Sequence, residues 1–313
     1  MMAIRLARIY TGRGKVLRFE ENFHGWADEL IAPAPGVVTN SVCLIPGHDL
    51  DRLETELATR EYAILMVEGG GAHMAGQIPW ETDFIRTLPG LTQKYGTVLL
   101  IDEVVTGFRD SIGGWQTLVG VTPELTSLGK AVGGGLSGGA LGGKADIMDI
   151  LRPRPALEPF AGHSGTWNAN PLTAAAGVAA CRLYRTGEVQ EKLNRLGAYL
   201  RRRGNQAMKE QGVSGRLYGR SIVWIYLGPV DYEPSDDRLP PTKDARKLLR
   251  SGTNRARLCL HLLHRGIATM GARFFILSSV HNEREIDRTI EALGDSLNAI
   301  TAEGSLDKEG LKE

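Results

Sequence analysis

The sequence predicts an α/β protein, a mostly parallel sheet with helices on both faces, followed by a smaller C-terminal α+β domain. Two observations predict it. Over the first half, amphipathic helices alternate with short, wholly apolar runs such as Ala63–Val67, the pattern of strands buried on both faces. From about Val213 the order changes to strand, polar loop, helix, strand and helix. A chain of 313 residues is long enough for two domains, and the boundary is expected inside a long basic helix, giving domains 1–190 and 191–313.

Taken in order, a helix over Met2–Tyr10 stops at Thr11-Gly12 and leads to a strand, Lys15–Phe19. Arg5, Arg8, Arg13, Lys15 and Arg18 all precede the first acid, Glu20, as in an Arg-rich transit peptide. The helix-then-strand reading accounts for the same residues, with basic side chains on a solvent face and near a helix C-terminus. Helix Asp49–Thr59 then leads to strand Ala63–Val67, and helix Trp80–Tyr95 to strand Thr97–Ile101. Parallel sheets bind ligands at the carboxyl ends of their strands, so Glu68 and Asp102 should face one crevice. Gly133–Gly143 holds seven glycines and reads as close backbone packing around a bound group. An alanine-rich helix, Asn170–Leu183, and the long helix Val189–Gln211 follow. The C-terminal part reads as strand Leu217–Leu227, a Pro/Asp-rich loop Gly228–Thr242 and helix Lys243–His264. Strand Arg273–Ser279, helix Glu283–Ile300 and a fraying tail, Thr301–Glu313, complete it.

Composition excludes several function classes. Hydrophobic residues make up 42% and charged residues 23%, as in an ordinary globular protein. A net charge of +1 supplies no field to recruit nucleic acid or a membrane surface, and no apolar run reaches the length of a membrane span. Cys43, Cys181 and Cys259 are few, odd in number and widely spaced, which fits a reducing, cytoplasmic compartment.

The chemistry concentrates in two places. Strand-like Thr97–Ile101 runs into Asp102-Glu103-Val104-Val105-Thr106-Gly107-Phe108-Arg109, and Ser127-Leu128-Gly129-Lys130 follows. An acid at the end of a buried strand is costly unless a cation pairs with it, and a protonated pyridine nitrogen is one. A lysine between apolar residues and glycines should be partly buried, with a lowered pKa suited to Schiff-base chemistry. Together they are what pyridoxal 5'-phosphate needs, although alone Lys130 reads as a surface lysine and Asp102 as a helix cap. Other motifs compete less well. Gly133–Gly138 satisfies a dinucleotide fingerprint, but no clear strand leads into it. Gly138–Lys144 fits a P-loop up to Ala145, which stands where magnesium needs a hydroxyl. Cys259, His261 and His264 have metal-like spacing, yet on a helix residues 259 and 261 face different ways.

Asp102–Arg109, Val121-Thr122-Pro123-Glu124-Leu125, Ser127–Lys130 and Gly133–Gly143 resemble the class III, fold type I pyridoxal phosphate aminotransferases. Within them the chain is most similar to the glutamate-1-semialdehyde 2,1-aminomutase-like branch. The resemblance extends through Ala3–Gly12, Asn22–Gly25, Gly165-Thr166, Asn170–Leu172 and Leu277–Ile286, nearly the whole chain. It implies that Lys130 forms the internal aldimine and Asp102 binds the pyridine nitrogen. It places Val104 on one ring face and Phe23, where the family has tyrosine, on the other, with His24 lining the same wall. Thr166, after Gly165, would reach the cofactor phosphate of a neighbouring subunit, which implies a homodimer with shared active sites. His73 matches loosely a position near the ring oxygen, and Glu68 reads as an organising acid rather than a catalyst.

The resemblance implies an enzyme taking a small-molecule amino donor and acceptor in a ping-pong cycle, with no nucleic acid, membrane or metal. Arg273 stands where the aminomutase branch tends to carry an acid; it would suit a substrate carboxylate and favour transamination, or it pairs within the small domain. In relatives the helix matching Met2–Tyr10 follows a turn that cradles the cofactor phosphate. A separate polypeptide carrying that N-terminal segment, or a truncated frame with weak cofactor affinity, are both expectations here. The alternatives are therefore an aminotransferase, an aminomutase, and a non-catalytic cofactor-binding remnant or subunit of a split enzyme.

Overall fold

Ile64-Leu65-Met66-Val67 and Leu99-Leu100-Ile101 carry no polar side chain on either alternating face, so each run is stable only as a strand buried on both sides. A computed structural model describes residues 1–31, 33–71, 76–153, 160–228, 253–307 and 310–311. They fall into two units, Met1–Ala75 with Trp80–Gly187, and Gly76–Pro79 with Glu188–Glu313.

The first unit is built on a six-stranded sheet. Its strands are β1 (Lys15–Phe19), β2 (Val42–Ile45), β3 (Tyr62–Glu68), β4 (Val98–Glu103), β5 (Leu125–Leu128) and β6 (Ala140–Gly143), in the order β2-β1-β3-β4-β5-β6. The first five are parallel, and β6 runs antiparallel to β5. A parallel return needs a crossover, and the glycine-rich stretch between β5 and β6 has too few side chains to build one. Helix α1 (Met2–Thr11) packs Ala3, Ile4, Leu6 and Ala7 onto one sheet face, against Val16, Ile64, Met66 and Leu100. On the opposite face, Phe84 of the helix Thr82–Tyr95 meets Phe19 with ring centroids 5.7 Å apart, and Trp80 meets Phe19 at 5.1 Å.

The structure adds one strand to the expected set. Strand β2 was not anticipated; it is a four-residue, partly exposed edge strand lying beyond Pro33, Pro35 and Gly36. Two of the glycines of 133–143 permit close packing against the protein itself, which leaves the expected packing around a bound group untouched. A Cβ on Gly134 would lie 2.4 Å from the Ala176 carbonyl oxygen, and one on Gly138 would lie 2.6 Å from Thr173. Both contacts are to the helix Pro171–Tyr184.

In the second unit, strands Gly215–Gly219, Ile222–Leu227 and Phe274–Ile276 form an antiparallel sheet. The single strand expected over Leu217–Leu227 is a hairpin, broken after Gly219, whose φ of 94° only glycine adopts readily. Helices Glu188–Glu210, Thr253–His264 and Glu283–Ala302 pack Leu200, Leu258, Leu262, Leu293 and Leu297 against Leu217, Val223 and Phe275. Asn282 and Glu285 form a capping box at the start of the last helix. The tail is also corrected, because Leu306 is buried in this core and pairs with Leu311. Tyr218 Oη donates to the Gln77 carbonyl at 2.6 Å, which ties 76–79 to this unit. The loop expected at Gly228–Thr242 and the first part of the helix expected at Lys243–His264 lie outside the described residues.

Candidate active site

The carboxyl ends of the neighbouring strands β1, β3, β4 and β5 lead into Phe23 and His24, Glu68, Asp102 and Val104, and the Lys130 turn, respectively. Asp102 sits in β4, opposite Glu68 of β3 and Ser127 of β5 in the strand register. Its carboxylate is 8% exposed and well supplied with donors. Oδ2 lies 2.9 Å from His24 Nδ1, Oδ1 accepts the Val104 backbone N–H at 3.0 Å, and the Ser127 hydroxyl donates as well. Burial alone would raise the Asp102 pKa; the His24 contact, followed by Val104 N–H and Ser127, outweighs it and holds the carboxyl below its ordinary range.

His24 and Phe23 ride on the loop that leaves β1, and Glu68 anchors the loop. Glu68 Oε2 accepts the Phe23 N–H at 3.1 Å, the Glu68 N–H donates to Asn22 Oδ1 at 2.8 Å, and Trp80 Nε1 donates to the Glu68 carbonyl at 2.8 Å. Glu68 therefore ties the start of this loop to the end of β3. The His24 ring is buried, with Nδ1 on Asp102 and Nε2 without a hydrogen-bond partner among the described residues. Phe23, by contrast, keeps 37% of its surface exposed.

Lys130 opens a short 3₁₀ turn, Lys130–Gly133, with φ at +47°, a left-handed conformation that costs a non-glycine residue about 1–2 kcal/mol. Such strain persists only where surroundings enforce it and clusters at functional sites. Val104 supplies part of that enforcement, since a Cβ on Gly129 would lie 3.0 Å from Val104 Cγ1. The expectation of a partly buried lysine is corrected, because Lys130 is exposed. Tyr184 Oη reaches the Ala131 carbonyl at 3.4 Å and stacks on Phe108, which packs the turn from behind.

Residues 37–223 match the family model described as aminotransferase class-III. The chain is 37% identical, over 93% of its length and 69% of the relative's, to glutamate-1-semialdehyde 2,1-aminomutase of Desulforudis audaxviator. The chain belongs to the class-III aminotransferase family. Among solved structures it is similar to an omega-transaminase from Sphaerobacter thermophilus, with a TM-score of 0.82 and 31% identity over 95% of this chain and 71% of that one. It is also similar to a beta-phenylalanine aminotransferase from Variovorax paradoxus, with a TM-score of 0.80 and 30% identity over 96% and 68%.

Two groups of this class-III chain were not singled out by sequence. Ser127 was read only as part of the lysine motif; the register of β4 with β5 places it opposite Asp102. Glu103 is fully buried and accepts the Trp115 and Gln116 N–H groups at 3.0 and 2.8 Å, together with the Thr106 hydroxyl. It folds the segment after Asp102 back on itself, and burial raises its pKa despite these donors. Gly114 permits this, since a Cβ there would lie 2.6 Å from the carboxylate.

Gly165 and Thr166 are exposed and lead into a turn that ends at Ala169. Arg273 belongs to the second unit; its carbonyl accepts the Ile225 N–H at 2.8 Å and its Nε reaches the Met270 carbonyl at 3.4 Å. His73 lies outside the described residues. Among the described residues no group of three potential ligands is placed to hold a metal. The metal-like spacing near the C-terminus is spent on other partners: His261 lies 2.9 Å from Glu303, and Cys259 lies 3.6 Å from Thr269.

Proposed function

We propose that this chain is a pyridoxal 5'-phosphate-dependent aminotransferase that moves an amino group between an amine or amino acid and a keto acid or aldehyde in two half-reactions. One observation carries the reading: an ionised, donor-rich carboxylate, an aromatic face and a strained lysine turn share the carboxyl ends of parallel strands. The bound cofactor supplies an electron-withdrawing ring and an aldehyde that carries the amino group from donor to acceptor.

The donor set fits that group. An ionised carboxylate has about four lone-pair sites, and Val104 N–H, His24 and Ser127 use three, which leaves room for a ring N–H. A depressed pKa keeps Asp102 anionic, which favours the protonated ring. His24 fixes the carboxylate's orientation, Phe23 offers an exposed face to the ring, and Val104 bounds the other side. The Lys130 amine holds the cofactor and moves the substrate proton. Gly165 and Thr166, exposed on this subunit, would serve the phosphate of a second subunit's cofactor. Trp167 at 80% exposure and Leu172 at 71%, with Val178 and Leu183 on the same helix, support a homodimer that covers this face. Arg273 would bind a substrate carboxylate. Free Cys43, Cys181 and Cys259 suit a reducing cytoplasm.

The test is a half-reaction. An amino donor should shift the absorbance of the bound cofactor, and a keto acid should restore it. No shift with any donor would leave a non-catalytic cofactor-binding protein. The name of the Desulforudis audaxviator relative favours a second reading, an aminomutase acting on an amino aldehyde. That reading requires turnover of such a substrate with no acceptor added.

A further inference from the structure

Arg18 stands in the middle of β1, where its neighbours in sequence and register are Leu17, Phe19, Leu44 and Met66. It is 1% exposed, and among the described residues no carboxylate pairs with it. A buried guanidinium without a counter-ion is costly, and an aliphatic side chain would fill the same strand position without that penalty. The sequence pattern offers no reason for it, because it reads as one of several basic residues near the N-terminus.

What the guanidinium touches supplies the reason. Nη1 donates to the Asn22 carbonyl at 3.5 Å and Nη2 to the Ile31 carbonyl, while Nε has no acceptor among the described residues. These two carbonyls lie at the two ends of the loop that carries Phe23 and His24. Glu68 fastens the first end of that loop, through Asn22 and Phe23. Only a forked, planar donor spans both carbonyls at once; lysine presents a single ammonium.

We propose that Arg18 is a positioning residue for the cofactor ring, holding the loop from Asn22 to Ile31 closed so that Phe23 and His24 keep their places beside Asp102. This rests on the reading of Asp102 and Phe23 as the ring site. With the loop released, His24 leaves Asp102 and Phe23 leaves its place beside it, so the ring loses one wall of its site and Asp102 loses the contact that orients it.

The test uses the full chain carrying Arg18→Met, which keeps the apolar stem and removes the donors, and Arg18→Lys. Hydrogen exchange of the protein without cofactor should accelerate at least tenfold in peptides covering 22–31 and remain unchanged in β3 and β4. Affinity for added pyridoxal phosphate, read by fluorescence, should fall at least tenfold, and the pH transition of its absorbance should shift. Arg18→Lys should show smaller changes in the same directions. Unchanged exchange in 22–31 in a folded variant overturns the proposal. Faster exchange with unchanged affinity and pH transition overturns it too, leaving Arg18 a prop for the fold. If Arg18→Met does not fold, a folded Arg18→Lys with parental exchange and affinity overturns it. A parent chain that binds no pyridoxal phosphate at all overturns the ring-site reading instead, and the exchange data identify that case separately.

Discussion

The His24–Asp102 contact should behave as a charge-assisted hydrogen bond, and a double-mutant cycle measures it. His24→Phe keeps the ring volume and removes the nitrogen, and Asp102→Leu is nearly isosteric and removes the charge. A hydrogen bond to a charged group is worth about 1.5–3 kcal/mol, so the coupling between the two substitutions should fall in that range at neutral pH. Because the folded-state pKa of Asp102 is depressed, its contribution is complete above the ordinary aspartate range and is lost as pH falls through the lower, folded value. Urea unfolding of the parent, both single variants and the double variant gives the coupling at neutral pH and again in acid. A coupling below about 0.5 kcal/mol, or one that does not change with pH, would refute the assignment of His24 as the group that keeps Asp102 ionised.

Three other predictions follow from particular contacts. Glu103 has a raised folded-state pKa, so its stabilising effect is complete below the ordinary glutamate range and declines as pH rises through the raised value. Glu103→Gln should flatten that decline in a stability–pH profile, and an unchanged slope would show that Glu103 is not its source. Gly177→Ala, in the middle of a helix, ordinarily gains about 1 kcal/mol. Here the new Cβ would lie 2.6 Å from the Val132 carbonyl, so the variant should instead lose about 1–3 kcal/mol in thermal unfolding, with weaker cofactor binding as the Lys130 turn shifts. Val178→Arg should convert a dimer to a monomer by size-exclusion chromatography with light scattering, and a parent that is already monomeric removes the shared-site proposal.

The α/β alternation was legible because strands buried on both faces admit only apolar residues, and β3 and β4 have no alternative. Asp102 and Lys130 were legible because an acid ending such a strand and a lysine among glycines are locally conspicuous. The hairpin over 215–227 was hidden by a continuous apolar run, with Gly219 as its one local sign. His24 and Asp102 meet across the sheet, and no local pattern encodes that partnership. Arg18 escaped for a similar reason, since its acceptors are backbone carbonyls of a loop that composition does not describe. The exposure of Lys130 was missed because flanking Leu128 and Val132 suggest burial, while the left-handed turn carries the lysine outward.

The most direct test of the account is to trap the cofactor on the chain. Pyridoxal phosphate is added, the protein is reduced with borohydride, and the labelled peptide is identified by mass spectrometry. A single label on Lys130 is expected, greatly diminished by Asp102→Leu. Label on another lysine, or none at cofactor concentrations that saturate the absorbance change, would contradict it.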